Sequence, residues 1–360
     1  MRSPWCFLER RARSRTFDSS LTTGITVDAV THTVASLALA RAGLDRATRL
    51  ATPMLLISGL AADLDWLSLA GGARAYLHLH RTATHSLLGT ATIAFALAAM
   101  FWWLGRGHPT APVRFGRAAV VCAAGAGLHL LLDLTNSYGV QLLWPFRTKW
   151  YALDLMDSID PWVLFLLLMG LLLPGLFRLI SEEIGARPKK RGPQRGAIIA
   201  LALLAAYGGG RSVLHERAMA LLRSRLYHGA TPLAAGAFPQ GASPLTWSGV
   251  VETDNTLERI EVSLAPGSSF DPDIARTRFK PEASPALDAA RKSELARDFL
   301  NFARFPMASV QKTDDGYQVE LRDLRFSSPL RGGRDLVATI DLNRQAQVTH
   351  EELRFETARR

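Results

Sequence analysis

The sequence predicts an all-α polytopic membrane helical bundle followed by a small soluble α+β domain. Two observations lead to this fold class. Residues 28–210 carry long apolar runs, and five or six of these stretches approach the roughly 20 residues that a helix needs to cross a bilayer. Residues 215–360 are polar, and they alternate apolar and polar residues as half-buried strands do. The average composition, 48% hydrophobic and 21% charged, conceals this division, and a purely soluble protein is excluded.

The chain divides into four predicted segments. Residues 1–27 form a basic leader without an apolar core of signal-peptide length, and we expect this leader to be disordered. Residues 28–213 form the transmembrane helical domain. Residues 214–245 combine an amphipathic helix with a linker rich in Gly, Pro and Ala, and residues 246–360 form the soluble α+β domain.

Six apolar segments predict the helices of the bundle. They are residues 28–44, 51–69, 84–104, 118–136, 161–180 and 197–213. Several contain glycine, and four contain an aspartate or histidine. Typical lipid-facing spans avoid ionisable groups because such groups are costly in hydrocarbon. The ionisable side chains inside these segments are therefore candidates for function.

The remaining segments predict the soluble part of the chain. Residues 211–227 are amphipathic at helical period, which is typical of a helix with one buried face. Residues 293–303 indicate a helix with Ser293 as its N-cap. Alternating residues predict four strands, at 256–265, 317–326, 335–342 and 346–355.

The positions of lysine and arginine predict which partner the protein contacts and how the chain is oriented in the membrane. The net charge is +10, and the basic residues cluster beside apolar segments, so we expect contact with the lipid bilayer and no nucleic-acid partner. The basic loops Gly105–Arg117 and Ser181–Gly196 should be cytoplasmic. The protein is then a multi-pass protein of the inner (plasma) membrane, and its C-terminal domain lies in the periplasm or another extracytoplasmic space.

Acidic residues and histidines gather at the predicted helix ends that share one membrane face. They are Asp28, His32, Asp63, Asp65, His80, His85, His129, Asp133, Asp154, Asp157 and Asp160. Any one of them alone could be a structural hydrogen-bonding group. A charged side chain costs roughly 2.5–3.5 kcal/mol at the centre of a membrane helix, so a set of this size on one face indicates a functional site.

The spacing of these residues favours metal binding. His129 and Asp133 are four residues apart and share one helical face, where an imidazole and a carboxylate can bind one ion. Asp63 and Asp65 are separated by one residue and could hold one or two ions at a helix end. Histidine and aspartate without cysteine suit a divalent metal, most favourably Zn²⁺, with Mn²⁺ as the alternative. Two such ions can activate water and neutralise a phosphate.

The motifs, taken in order, resemble those of a known family. They are DAVTH at 28–32, DLDWL at 63–67, HRTATHS at 80–86, HLLLD at 129–133, LLWPF at 142–146 and IDPW at 159–162. This series is similar to the YdjM-like family of LexA-regulated, membrane-bound metal-dependent hydrolases, over about residues 28–180. A more remote similarity is to the superfamily of zinc-dependent phospholipase C and fungal single-strand nuclease, whose helical bundle binds zinc through His, Asp and an HxxxD helix.

The resemblance implies a ligand set. The implied ligands are His32, Asp65, His85, His129 and Asp133, and the candidate set also includes His80 and Asp160. The sequence departs from the superfamily pattern after Asp133, where only Asp154, Asp157 and Asp160 could replace a later histidine. Asp63 is the candidate general base. Arg81 is either a clamp for an anionic substrate or the ion-pair partner of Asp63 or Asp65.

Three functions remain as hypotheses from the sequence. The first is an integral membrane hydrolase that uses metal-activated water on a phosphoester or lipid-like ester, so its partner would be a small-molecule or lipid substrate. The second is a non-catalytic membrane protein that binds metal or conducts ions or protons. The third is a scaffold that presents residues 215–360 to a partner. A metal that water can reach and that keeps an open coordination position would separate the first from the others.

Overall fold

The computed structural model describes residues 19–157, 159–183, 192–240, 243–326 and 334–357. Its N-terminal part is helical. The α-helices there are α1 (Ser19–Arg41), α2 (Ala51–Ser58), α3 (Ala73–Leu79), α4 (Leu87–Gly105), α5 (Phe115–Thr135), α6 (Pro161–Glu183) and α7 (Gly192–Arg223). A 3₁₀ segment, Ala62–Gly71, follows α2. The helical bundle predicted from the apolar runs is therefore confirmed.

Four segments of the described chain are long and apolar enough to cross a membrane. They are Ala51–Gly71, Leu87–Gly105, Phe115–Thr135 and Gln194–Arg223. A shorter apolar stretch, Pro161–Phe177, lies within α6. Small residues let these helices approach each other closely, as is usual in membranes. A Cβ added at Gly125 of α5, for example, would lie 2.2 Å from the Ser58 hydroxyl of α2.

Two predicted helix boundaries differ from the structure. The first helix begins at Ser19, so residues 19–27 of the predicted leader belong to α1, while residues 1–18 lie outside the described residues. The predicted helix 51–69 is interrupted, because α2 ends at Ser58 with Gly59 as its C-cap. Tighter 3₁₀ turns continue from Ala62 to Gly71, and these turns carry both aspartates of the DLDWL motif.

Helix α7 runs without a break from the bundle into the C-terminal part of the chain. The predicted boundary between residues 213 and 214 therefore falls inside one helix of 32 residues. Its last turns stay helical because Ala218, Met219 and Leu222 pack against Trp247 and Val251 of the first sheet. The predicted linker is also partly a strand, since residues 234–240 pair with residues 243–252.

Two antiparallel sheets form the C-terminal part. The first has the order β1 (Ala234–Gln240), β2 (Ser243–Glu252), β3 (Thr256–Ser263) and β4 (Arg276–Phe279). The second has the order β5 (Pro306–Lys312), β6 (Gly316–Asp323), β7 (Arg334–Asn343) and β8 (Val348–Thr357). The helices α8 (Pro285–Arg291) and α9 (Glu294–Phe302) pack on the second sheet. The predicted α+β class is confirmed.

The elements predicted in this part occur at nearly the predicted places. The four predicted strands correspond to β3, β6, β7 and β8, and the predicted helix corresponds to α9. Ser293 is its N-cap, because the Ser293 hydroxyl accepts a hydrogen bond from the amide of Ala296 at 3.2 Å. The strands β1, β2, β4 and β5 and the helix α8 were not predicted from the sequence.

The C-terminal part packs against one end of the bundle. The guanidinium of Arg325 donates to the carbonyl of Ser137 at 2.9 Å, and Arg304 forms an ion pair with Asp154 at 2.8 Å. Leu77 of α3 belongs to the same hydrophobic cluster as α8, α9 and the second sheet. The loop that follows α5 and the helix α3 are therefore the places where the helical part contacts the C-terminal part.

Candidate metal centre

Four side chains from three elements form a buried His/Asp cluster. They are His32 of α1, Asp63 of the 3₁₀ segment, and His129 and Asp133 of α5. One ligand atom from each lies within 4.8 Å of the others. His32, His129 and Asp133 have at most 2% of their surface exposed. Part of this arrangement was predictable from the sequence, because the four-residue spacing of the HxxxD pair places both α5 side chains on one helical face.

His85 completes the cluster from a fourth element. It lies just before α4, whose N-cap Ser86 accepts a hydrogen bond from the amide of Gly89 at 2.9 Å. The His85 Nε2 atom is 3.0 Å from an oxygen of Asp133 and 3.1 Å from Nε2 of His129. Asp133 is thus shared, since its other oxygen is 3.3 Å from Nε2 of His32.

Two histidines are oriented by hydrogen-bond acceptors that contact the ring nitrogen pointing away from the cluster. The Nδ1 atom of His129 lies 2.8 Å from the carbonyl of Gly59, which can only accept a hydrogen bond. The neutral ring of His129 therefore carries its proton on Nδ1 and presents the lone pair of Nε2 to the cluster. The Nδ1 atom of His85 likewise faces an oxygen of Asp65 at 3.1 Å. Metal-binding histidines are commonly oriented in this way.

Asp65 lies behind the cluster and organises the segment from residue 80 to residue 85. Its carboxylate receives three hydrogen bonds of 2.8 Å, from Nδ1 of His80, the amide of Arg81 and the hydroxyl of Thr84. The predicted ligand Asp65 thus supports His85, and Asp63 is the aspartate placed among the ligand atoms. His80 is also held by Asp65, and its ring stacks on that of Tyr76 at 4.4 Å between centroids.

Arg81 is buried and bound to the cluster itself. Its guanidinium is 2.9 Å from an oxygen of Asp133 and donates to the side-chain oxygen of Asn136 at 2.8 Å. From the sequence, Asp63 or Asp65 was the expected ion-pair partner of this side chain, whereas in the structure its guanidinium pairs with Asp133. Asn136 is the C-cap of α5, one residue beyond the end of that helix.

The charge and exposure of the cluster fit a divalent cation. Asp63 Oδ2 is buried and accepts no hydrogen bond from the described residues. Burial alone would lower the pKa of His85, but its contacts with Asp133, Asp63 and Asp65 outweigh burial and raise that pKa well above its ordinary value. The site therefore favours positive charge. The Asp63 side chain is 17% exposed, against 1% for Asp133, so Asp63 marks the open side of the cluster.

Asp160 and Asp154 take other roles. Asp160 accepts hydrogen bonds from the amide of Trp162 at 2.9 Å and from the hydroxyl of Tyr207 at 2.9 Å, so it caps the start of α6. It shares a small cavity with His32, but its carboxylate is engaged by these donors. Asp154 forms an ion pair with Arg304. Neither residue is part of the His/Asp cluster.

Comparisons with known proteins agree with this division of the chain. A family profile described as "YdjM inner membrane protein" matches residues 27–218, and a second, described as "YfhP C-terminal alpha/beta plait domain", matches residues 285–356. A curated relative is "Uncharacterized protein YfhP" of Bacillus subtilis (strain 168), which is 28% identical over 145 residues. That alignment covers 38% of this chain and 43% of the relative, so less than half of the relative is spanned. No solved structure matches.

Proposed function

The chain belongs to the YdjM inner membrane protein family, since the profile covers more than half of its length, and on this premise we propose that it is a membrane metal-dependent hydrolase. The substrate would be a phosphoester or a lipid-like ester. The observation that carries the proposal is the buried cluster of His32, Asp63, His129 and Asp133, which offers four ligand atoms within 4.8 Å of one another. The membrane helices supply this cluster, and the family assignment makes them part of an inner membrane protein.

The donor set supports zinc as the ion. Imidazole nitrogens and carboxylate oxygens without thiolates are typical of catalytic Zn²⁺ sites, and Mn²⁺ accepts the same donors. We assign His32, His129, Asp133 and Asp63 as ligands, with His85 as a further donor. A divalent ion held there would polarise a phosphate ester and lower the pKa of a water molecule.

The remaining residues would position these groups and move a proton. Asp63 Oδ1 faces His85 and His129 at 3.6 Å, and its buried Oδ2, which accepts no hydrogen bond from the described residues, would be the oxygen that takes a proton from a water molecule in the cluster. Arg81 holds Asp133 through the 2.9 Å ion pair and is a positioning residue for it. Asp65 fixes the ring of His85 from behind, which keeps the inner nitrogen of His85 directed at the cluster.

Metal content and turnover of the full chain test the proposal. We expect the protein purified in neutral detergent to retain about one or two divalent ions per chain by elemental analysis. Chelation should abolish hydrolysis of at least one member of a panel of phosphodiester, phosphomonoester and phospholipid substrates, and added Zn²⁺ or Mn²⁺ should restore it. A chain that holds no metal after purification and takes up none from Zn²⁺ or Mn²⁺ solutions would contradict the proposal.

A second candidate function uses the same cluster without catalysis. The near-complete burial of His85 and Asp133 favours a protein that stores or conducts metal ions or protons. Stoichiometric metal together with no turnover of any panel member would place this function ahead of hydrolysis.

The orientation of the C-terminal domain is a further part of the proposal. We expect it to be extracytoplasmic, because the basic loop Gly105–Arg117 should remain in the cytoplasm. Single cysteines at Ser243 and Gly107, in a chain with Cys6→Ser and Cys122→Ala, provide the test. A membrane-impermeant maleimide should label position 243 in intact spheroplasts and position 107 only after permeabilisation. Labelling of both positions from the same side would overturn this orientation.

A further inference from the structure

The short loop that follows α5 lies between the His/Asp cluster and the C-terminal part of the chain. Toward the cluster, the side-chain oxygen of Asn136 accepts a hydrogen bond from Arg81 at 2.8 Å, and Arg81 pairs with Asp133 at 2.9 Å. Toward the C-terminal part, the carbonyl of Ser137 accepts a hydrogen bond from Arg325 at 2.9 Å. Neighbouring residues of one loop thus contact both a side chain that holds the cluster and the C-terminal part.

Tyr138 is the next residue of this loop, and its ring makes the same double contact. The guanidinium carbon of Arg81 lies 5.3 Å from the ring centroid, within the range of a cation–π contact. The ring of His80 meets it edge to face at 5.4 Å between centroids. From the C-terminal part, Phe302 and Phe326 pack on the same ring at 4.9 and 6.2 Å between centroids. Tyr138 therefore joins the start of the HRTATHS segment to the C-terminal part.

Two short routes lead from this ring to the ligand atoms. Arg81 reaches Asp133 directly through the 2.9 Å ion pair. His80 reaches the cluster through Asp65, because one oxygen of Asp65 contacts Nδ1 of His80 at 2.8 Å and the other contacts Nδ1 of His85 at 3.1 Å. Supporting contacts of this kind orient metal ligands and strengthen metal binding. A shift of the ring would therefore displace both Asp133 and His85.

The backbone of Arg81 depends on its surroundings in the same way. Its φ angle is 58°, a left-handed conformation that is uncommon for a residue other than glycine. Such a conformation is costly and persists only where neighbouring contacts impose it. The amide of Arg81 donates to Asp65 at 2.8 Å, and its carbonyl accepts a hydrogen bond from the amide of Gln141 at 3.0 Å. Loosening the packing on the guanidinium would remove one of the contacts that keep this residue in place.

The contribution of Tyr138 comes from its ring and not from its hydroxyl. The hydroxyl oxygen is buried and has no hydrogen-bond partner among the residues that the structure describes. Phenylalanine at this position would keep the ring and its contacts, whereas leucine would remove the ring and keep an apolar side chain. These two substitutions therefore separate the packing of the ring from the loss of a hydroxyl.

We propose that Tyr138 is a positioning residue of the metal centre, through which the C-terminal domain sets the affinity of the cluster for a divalent cation. Phe302 and Phe326 hold the ring of Tyr138 against Arg81 and His80, which support the ligand atoms. Coupling between two sites is reciprocal, so bound metal should also stabilise the contact with the C-terminal domain. The inference rests on the proposed function in taking the cluster as a metal site, and it requires no turnover.

Zn²⁺ affinity of the full chain in neutral detergent, measured by competition with a chromophoric chelator, tests the proposal. We expect Tyr138→Leu to lower the affinity by roughly 10–100-fold, the usual effect of losing a supporting contact of a metal site. Tyr138→Phe should retain the wild-type affinity.

The matched control is Trp150→Leu. The indole of Trp150 packs on Tyr138 and Phe302 at 5.9 and 5.1 Å between centroids, and within the described ranges it forms no ring contact with His80. This variant should lower the Tm as Tyr138→Leu does, because both lose a ring from one aromatic cluster, but it should leave the Zn²⁺ affinity nearly unchanged.

Hydrogen exchange provides a readout that needs no metal. In the chelated chain, peptides that contain Arg81 and Gln141 should exchange faster in Tyr138→Leu than in the wild type or in Trp150→Leu. Added Zn²⁺ should slow exchange in the segment 302–326 of the wild type and have little effect there in Tyr138→Leu. If Tyr138→Leu does not fold, Phe326→Leu should change the same quantities in the same direction and to a smaller extent.

The outcomes separate this inference from the proposed function. Wild-type Zn²⁺ affinity in Tyr138→Leu, or an equal loss of affinity in Trp150→Leu or Tyr138→Phe, would overturn the positioning role of the ring. Normal metal uptake together with unchanged exchange at Arg81 and Gln141 in Tyr138→Leu would overturn this inference alone. A chain that takes up no metal, but whose exchange at these residues still responds to Tyr138→Leu, would overturn the proposed function and support the positioning role.

Discussion

Replacing Asp133 with alanine is expected to remove bound metal and hydrolysis together. Its carboxylate is the centre of the cluster, with His85 and His129 within 3.2 Å of one oxygen and His32 at 3.3 Å from the other. Without this carboxylate the three imidazoles would lose their shared anionic partner. We expect metal affinity to fall by well over the roughly 10²-fold that loss of an outer-layer partner can cost. His129→Ala should have the same effect, because both side chains project from one face of α5.

A graded series makes this prediction sharper. Asp65→Asn should weaken metal binding by roughly 10–100-fold without abolishing it, because Asp65 contacts His85 from behind the cluster. His108→Ala is the matched control, since this histidine accepts a hydrogen bond from an amide in the exposed loop after α4. Elemental analysis after equilibrium dialysis measures occupancy, and the substrate panel measures turnover. Full occupancy in Asp133→Ala would show that the cluster does not hold the metal.

Replacing Arg325 with methionine is expected to loosen the C-terminal part from the bundle. The buried guanidinium bonds to Asp323 at 2.7 Å, to the carbonyl of Phe302 at 3.0 Å and to the carbonyl of Ser137 at 2.9 Å. Methionine fills much of the volume but leaves these acceptors without their donor. Removing one partner of a buried ion pair typically costs roughly 3–5 kcal/mol. We therefore expect the Tm of the detergent-solubilised protein to fall by roughly 5–15 °C.

The control for this variant is Arg322→Met, in strand β6 just before the turn that contains Arg325. The Arg322 side chain is 19% exposed and pairs with Glu320 and Glu356. Partly exposed pairs contribute little, typically about 0–1 kcal/mol, so its Tm should change by a few degrees at most. Limited proteolysis within the loop 139–153 should accelerate in Arg325→Met alone. Equal Tm values for the two variants would contradict the anchoring role of Arg325.

The sequence predicted the fold class because hydropathy and periodicity are local signals. Apolar runs identified the membrane helices, and alternation identified β3, β6, β7 and β8. The strands β1 and β4 were missed for physical reasons. The segment AAGAFPQ of β1 combines small residues with a glycine and a proline, which are depleted in strands. The four residues of β4 are too short for an alternating pattern, and their pairing with β3 is what defines them.

The candidate site was predicted as a set of residues but not as an arrangement. The HxxxD spacing brought His129 and Asp133 together because α5 is a regular helix. The sequence did not show which aspartate of DLDWL faces the cluster, because the directions of both side chains depend on the 3₁₀ turns that follow Gly59. For Asp160 a role as a ligand stays a prediction; in the structure this residue directly precedes a helix, and an amide of that helix donates to its carboxylate.

Helix α7 has a consequence for how the bilayer acts on the rest of the chain. Its 32 residues span about 48 Å, whereas the hydrocarbon layer is about 30 Å thick. The part of α7 that exceeds this thickness packs against the first sheet, where Met219 and Leu222 contact Trp247. Helices respond to a thinner or thicker bilayer by changing their tilt. Because α7 packs directly on the first sheet, we expect a change in its tilt to turn that sheet with it, so that a thinner or thicker bilayer would reorient the C-terminal domain.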